Sequence, residues 1–173
     1  MKRFAKLLEN LLFTPSRNAK IIALAEYFEN TPDPDRGFAL GAITRDLSLN
    51  NLKPTQLRTL TKSRVDPELF DMSYDYVGDM AETISLIWPK HTNHVLEKQR
   101  LPQLGELISA LQTKSKIALQ TYVTELLDCA SVTERWAIIK MVTGGLRVGV
   151  SARLAKSSLA EYSGKDLTEI EKI

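Results

Sequence analysis

The amino-acid sequence predicts an all-α fold, a compact multi-helix domain of roughly ten helices joined by short loops. Apolar residues recur at helical spacing along most of the 173 residues. Cap residues and prolines punctuate those runs at short intervals. No convincing stretch of alternating β-branched residues and no Asn-Gly hairpin signal occurs, and no repeat of fixed period is evident.

The elements follow in order. Phe4, Leu7, Leu8, Leu11 and Leu12 mark the first helix, and Thr14 followed by Pro15 reads as a cap with proline at the first helical position. The second carries Ile21, Ile22, Leu24, Ala25 and Phe28, and stops at the run Asn30-Thr31-Pro32-Asp33-Pro34-Asp35, which is hostile to regular structure. A third helix fits Phe38 to Leu47, and a fourth runs from Pro54 through Leu57 and Leu60. Asp66-Pro67 starts a short fifth. Asp79, with Glu82 three residues on, caps a sixth holding Met80, Ile84, Leu86 and Ile87, which Trp88-Pro89 ends.

Residues 89–100 are mostly polar and form the best candidate for an exposed linker, which would divide the domain into sub-lobes 1–88 and 101–173. Further helices fit Leu101 to Leu111 and Ile117 to Leu127. Ser131-Val132-Thr133-Glu134 has a capping-box pattern, and Trp136, Ile138, Ile139, Met141 and Val142 continue that helix to Gly144. Ser151 caps one more helix.

Composition bounds the function. Hydrophobic residues at 43% and charged residues at 25% are ordinary for a soluble globular protein. No apolar run approaches the roughly 20 residues that cross a bilayer, and the N-terminus lacks a signal peptide's apolar core and cleavage site, so no membrane partner and a cytoplasmic location are expected. The single cysteine, Cys129, permits no internal disulfide and reads as a buried, inert thiol. Net charge is +2, unevenly spread. Residues 1–112 hold 14 Lys and Arg against 14 Asp and Glu, residues 113–156 hold 7 against 3, and residues 157–173 hold 2 against 4. The positive excess favours a polyanion as partner, although four charges also suit a solvated face.

Catalytic groups do not converge anywhere. His91, His94 and Glu97 fit one helical face, but no second cluster completes a metal shell, so no metal site is expected. Asp75 and Asp79 resemble paired carboxylates, yet Asp79 is better explained as a cap. GxxxxGK[ST] and GxSxG motifs are absent. No catalytic residue is assigned, and no cofactor is expected in this chain.

The most informative run is Thr143-Gly144-Gly145-Leu146-Arg147-Val148-Gly149-Val150-Ser151-Ala152-Arg153. Glycines remove the bulk that holds a backbone away from a ligand, helix-start N–H groups favour an anion, and an arginine fork matches phosphate. Locally, a plain corner between helices with a surface arginine explains the run equally well. A second basic corner, Thr113-Lys114-Ser115-Lys116, lies in the same positive segment. The candidate binding residues are Lys114, Lys116, Gly144, Arg147, Gly149, Ser151 and Arg153.

These residues together resemble the N-terminal DNA-binding domain of ATP-dependent DNA ligases, the bacterial members in particular. Gly144 to Ser151 resembles that family's signature near the domain's end, and Tyr74-Asp75-Tyr76-Val77-Gly78-Asp79-Met80-Ala81-Glu82 its internal Gly-Asp stretch leading into a helix. Arg17-Asn18-Ala19-Lys20 and Thr31 to Gly37 add to the likeness, which covers essentially the whole chain. Gly145 stands where some eukaryotic relatives carry a basic side chain. The resemblance implies an all-helical domain gripping nicked duplex DNA by its sugar-phosphate backbone along the minor groove, with Gly144, Arg147, Gly149 and Ser151 in contact and Lys114 and Lys116 on a neighbouring corner. It also implies roles in DNA replication, repair and recombination near the bacterial nucleoid. The family's AMP-accepting lysine lies in a KxDG motif. Lys165-Asp166-Leu167 does not match it and no other lysine does, so this chain alone is expected to be inactive. ATP, Mg2+ and the catalytic domains of the same polypeptide are then implied for the full-length enzyme. The competing expectation is a helical protein-interaction scaffold without a nucleic-acid role.

Overall fold

Eleven helices and no strand make up the described residues of the computed structural model, which are 1–49, 52–89 and 100–170. They are α1 (Lys2–Phe13), α2 (Arg17–Asn30), α3 (Asp35–Thr44), α4 (Pro54–Lys62), α5 (Pro67–Val77), α6 (Met80–Ile87), α7 (Leu104–Thr113), α8 (Lys116–Cys129), α9 (Val132–Val142), α10 (Ala152–Ser163) and α11 (Leu167–Ile170). The caps explain the starts. Ser16, Asp66, Asp79, Ser115, Ser131 and Ser151 each accept a hydrogen bond from the backbone N–H three residues on, satisfying a donor that helix geometry leaves without a partner.

Three helices depart from the expected bounds, the last of them α7, which begins at Leu104 rather than Leu101 because Gln103 is its N-cap. α2 is capped by Ser16 rather than Thr14, because Thr14 still closes α1 and Pro15 spans the corner. α3 begins at Asp35 and ends at Thr44 rather than spanning Phe38 to Leu47. Its end is set by Arg45, which turns into the left-handed region at φ 65° while Asp46 N–H donates to the Gly41 carbonyl at 2.9 Å. The reversal folds Leu47 back so closely that a Cβ on Gly41 would stand 3.0 Å from it. Packing by that leucine offsets a left-handed penalty on the order of 1 kcal/mol for a side chain with a Cβ.

At the centre lies α9, which packs against α1, α6 and α8. Arg135, Ala137, Ile138, Ile139, Met141 and Val142 of this helix are all buried, so it is enclosed on most sides. α10 lies along α2 and touches α3, while α7 packs on α3. Asp35 at the start of α3 caps α7 from a distance, accepting from Leu104 N–H at 3.1 Å and Gly105 N–H at 2.8 Å. Helices from 1–88 and from 101–173 thereby contribute to one hydrophobic core that includes Phe4, Leu24, Phe28, Leu107, Ile138 and Val148. Burial of each such side chain stabilises the fold by about 1.5–3 kcal/mol before entropy is counted. Most of the polar stretch expected as a linker, with His91, His94 and Glu97, falls at 90–99, outside the described residues.

Two cations of the basic segment 113–156 are used internally. Arg135 is buried, its Nε donating to the Leu127 carbonyl at 2.8 Å and its Nη1 to the Trp88 carbonyl at 3.3 Å. Trp88 Nε1 donates in turn to Asp128 Oδ1 at 2.9 Å, and Arg64 pairs with the same carboxylate at 3.3 Å. Lys140 pairs with Asp79. Cys129 is half-buried rather than buried, and burial together with the Asp128 charge pushes its thiol pKa up.

Candidate functional site

The glycine and arginine run starts where α9 stops. Gly144 has φ 69°, its N–H donates to the Met141 carbonyl at 3.1 Å, and Gly145 N–H donates to the Lys140 carbonyl at 2.9 Å. This pair of bonds is the Schellman closure, which needs a left-handed residue and so favours glycine. Beyond it the chain is irregular as far as Ser151, whose Oγ accepts from Leu154 N–H at 3.2 Å and caps α10. Helix geometry leaves the N–H groups of Ala152 and Arg153 without an intrahelical acceptor.

Between the two caps, burial alternates residue by residue. Leu146 and Val148 are 5% and 4% exposed and enter the core, whereas Arg147 and Gly149 face outward. Two apolar plugs one residue apart therefore force Arg147 to the surface. Lys20, reaching over from α2, donates from Nζ to the Val148 carbonyl at 2.9 Å and to the Gly149 carbonyl at 3.2 Å. Gly149 is left-handed at φ 66°, and a Cβ there would stand 2.6 Å from that ammonium nitrogen.

This loop forms one wall of an open cleft of about 770 Å³. The second wall is the α1–α2 corner, with Pro15, Arg17 and Lys20; the third is the end of α3, with Ile43 and Arg45. Ile43, Leu146, Val148 and Leu154 supply its apolar surface. Arg17, Lys20, Arg45 and Arg147 supply the charge, and no carboxylate lines it. Among the described residues the guanidinium groups of Arg17, Arg45 and Arg147 make no hydrogen bond or ion pair, so their donors are available to a ligand. Four cations around one concave surface concentrate positive potential and attract a polyanion.

Of the residues expected to bind, Arg147, Gly149 and Ser151 line this cleft together. Gly144 lines an adjoining smaller hollow with Gly41, Arg45 and Leu146. Arg153 is exposed on the first turn of α10 and is not part of the cleft wall. Lys114 lies elsewhere, over the Tyr122 ring at 4.9 Å and lining a hollow against α3 and α7, while Lys116 is exposed one residue beyond the Ser115 cap. The two basic corners thus do not share a cleft.

Sequence reasoning missed Arg17, Lys20 and Arg45 as site residues. Arg17 and Lys20 stand three apart, a spacing that puts them on one face of α2 and was a usable signal. Arg45 left no such trace, since only the reversal at the end of α3 brings it to the loop.

The Gly78-Asp79 stretch has a different use. Gly78 closes α5 at φ 74°, and Asp79 Oδ1 accepts from Glu82 N–H at 2.9 Å. The other carboxylate oxygen takes the Lys140 ammonium at 2.5 Å, joining α6 to the helix that carries the loop. Burial opposes ionisation of Asp79, but the Lys140 ammonium and the N–H groups of Glu82 and Ala81 outweigh it and hold the carboxyl below its ordinary pKa.

Fold and site together define an all-helical domain presenting a cationic cleft free of acidic lining residues. The family model described as DNA ligase N terminus matches residues 1–160, nearly the whole chain. The chain belongs to that family. No curated protein matches it.

Proposed function

We propose that this domain holds nicked duplex DNA without regard to sequence, as the substrate-gripping part of an ATP-dependent DNA ligase. The observation that carries the reading is the acid-free cleft with three guanidinium groups lacking internal partners. Nicks arise in any sequence, so a gripping domain has to read phosphates and groove shape rather than base edges. Arg147, Gly149 and Ser151 would approach the sugar-phosphate backbone along the minor groove, with Arg17 and Arg45 on adjacent phosphates. Gly144 shapes the loop's exit from α9, and Arg153, Lys114 and Lys116 extend the positive surface outside the cleft.

ATP and Mg2+ belong, in this reading, to catalytic domains of the same polypeptide. The residues present do not fit that chemistry. No lysine lies in a KxDG motif, and no group of three His, Cys, Asp or Glu able to hold a metal exists among the described residues. No step of nick sealing is therefore assigned to them. Fluorescence anisotropy on two nicked duplexes of unrelated sequence tests the proposal, with equal affinity for both expected. A strong preference for one sequence, or no binding, would contradict it.

A second reading, protein docking, draws on the outer face of α5. Leu69, Met72 and Tyr76, at i, i+3 and i+7, are 53%, 67% and 92% exposed. In that reading the domain is a helical protein-interaction scaffold without a nucleic-acid role, so it would not bind nicked duplex, and Ser replacement of all three would abolish its protein contact.

A further inference from the structure

Residues 146–150 have little to hold their shape. The Schellman closure ends at Gly145, the next cap begins at Ser151, and among the described residues no backbone–backbone hydrogen bond engages any of the five. Leu146 and Val148 fix where the segment touches the core, but apolar plugs leave the peptide planes between them free to rotate. The polar tether comes from one side chain, Lys20, which bonds two consecutive carbonyls from α2.

We propose that Lys20 is a positioning residue for the cleft: it locks the Val148-Gly149 peptides and through them the direction of Arg147, and does not itself contact phosphate. The effect on DNA rests on the DNA-binding reading above; the effect on the loop does not. Three features support it. Lys20 is half-buried, unlike the exposed Arg17 on the same helix, and its ammonium lies against the loop carbonyls. Two of its three donors are spent on carbonyls. Those carbonyls, if not held by the ammonium, would present negative dipole ends to an arriving phosphate, so the tether aims Arg147 and also removes a repulsion. Gly149 fits the same picture, since any Cβ there would displace the ammonium.

Two measurements on Lys20→Met, Lys20→Arg and Arg147→Ala test this. In backbone 15N relaxation of the free protein, order parameters of 146–150 are expected to fall from about 0.85 to below about 0.6 in Lys20→Met, to stay as wild type in Arg147→Ala, and to stay close to wild type in Lys20→Arg. In anisotropy with a fluorescein-labelled nicked duplex over a KCl series, Lys20→Met is expected to bind about fivefold more weakly with an unchanged salt slope, whereas Arg147→Ala loses about 0.9 from the slope. Unchanged order parameters in Lys20→Met would overturn the tether, and a slope loss equal to that of Arg147→Ala would show a direct phosphate contact instead. Should the wild-type domain bind no duplex, the DNA reading fails while the relaxation result still decides the tether.

Discussion

Two corners of this molecule are built from the same local parts and do opposite things. At 77–80 and at 142–152 a helix ends on a left-handed glycine and a polar cap starts the next helix. In the first corner the cap follows the glycine directly, and its carboxylate turns inward to meet Lys140. In the second, six residues separate glycine from cap, two of them plug the core, and the charged residue between the plugs has no partner inside the fold. The difference teaches that a helix corner braces the fold when its charge is satisfied within the protein and presents that charge outward when it is not. Lys140 links the two, since it pairs with the first corner and its carbonyl closes the helix end that begins the second.

That contrast can be broken by substitution, and the largest effect is expected at the open corner. Arg147→Ala should weaken binding to nicked duplex by about 1–3 kcal/mol, roughly fivefold to 150-fold, with the melting temperature unchanged. Loss of folding stability in that variant would mean the arginine has an internal partner after all. Gly149→Ala should act on both sides of the comparison. A left-handed alanine costs about 1–2 kcal/mol of stability, and its Cβ displaces Lys20, so thermal unfolding and DNA titration should both move.

Asp79→Ala is the mirror image of Arg147→Ala. Loss of the cap costs about 1 kcal/mol, and the partly exposed pair with Lys140 adds a few tenths at most. Denaturant unfolding should register it while DNA affinity holds. The smallest effect is in the pH profile. The Asp79 carboxyl is held below its ordinary pKa in the folded state, so its stabilisation is present above the usual carboxylate range and fades as pH falls through the folded value. Asp79→Asn should flatten that part of the acid limb of the stability curve; an unaltered limb would remove Asp79 as a contributor.

How far sequence reasoning reached follows from which signals are local. The Ser131 capping box, the Asp66-Pro67 start, the Asp79 cap and the left-handed Gly144 were all legible, because each depends on residues within a turn of one another. The early end of α3 was not, because it depends on Leu47 packing back over Gly41. Charge counting also misled in part. Arg135 adds to the positive excess of 113–156 but lies buried against the Leu127 and Trp88 carbonyls, and Lys140 is committed to Asp79. The arginines that complete the cleft, Arg17 and Arg45, come instead from the first 112 residues, whose net charge is zero. Local charge balance misses a surface assembled from three separate corners.

The salt dependence of nicked-duplex binding tests the central claim most directly. Each phosphate contact contributes about 0.9 to the log–log slope, so the combined Arg17→Ala, Arg45→Ala and Arg147→Ala variant is predicted to lose about 2.7 from the wild-type value. A slope unchanged by all three substitutions would show that the cleft is not where this domain meets DNA.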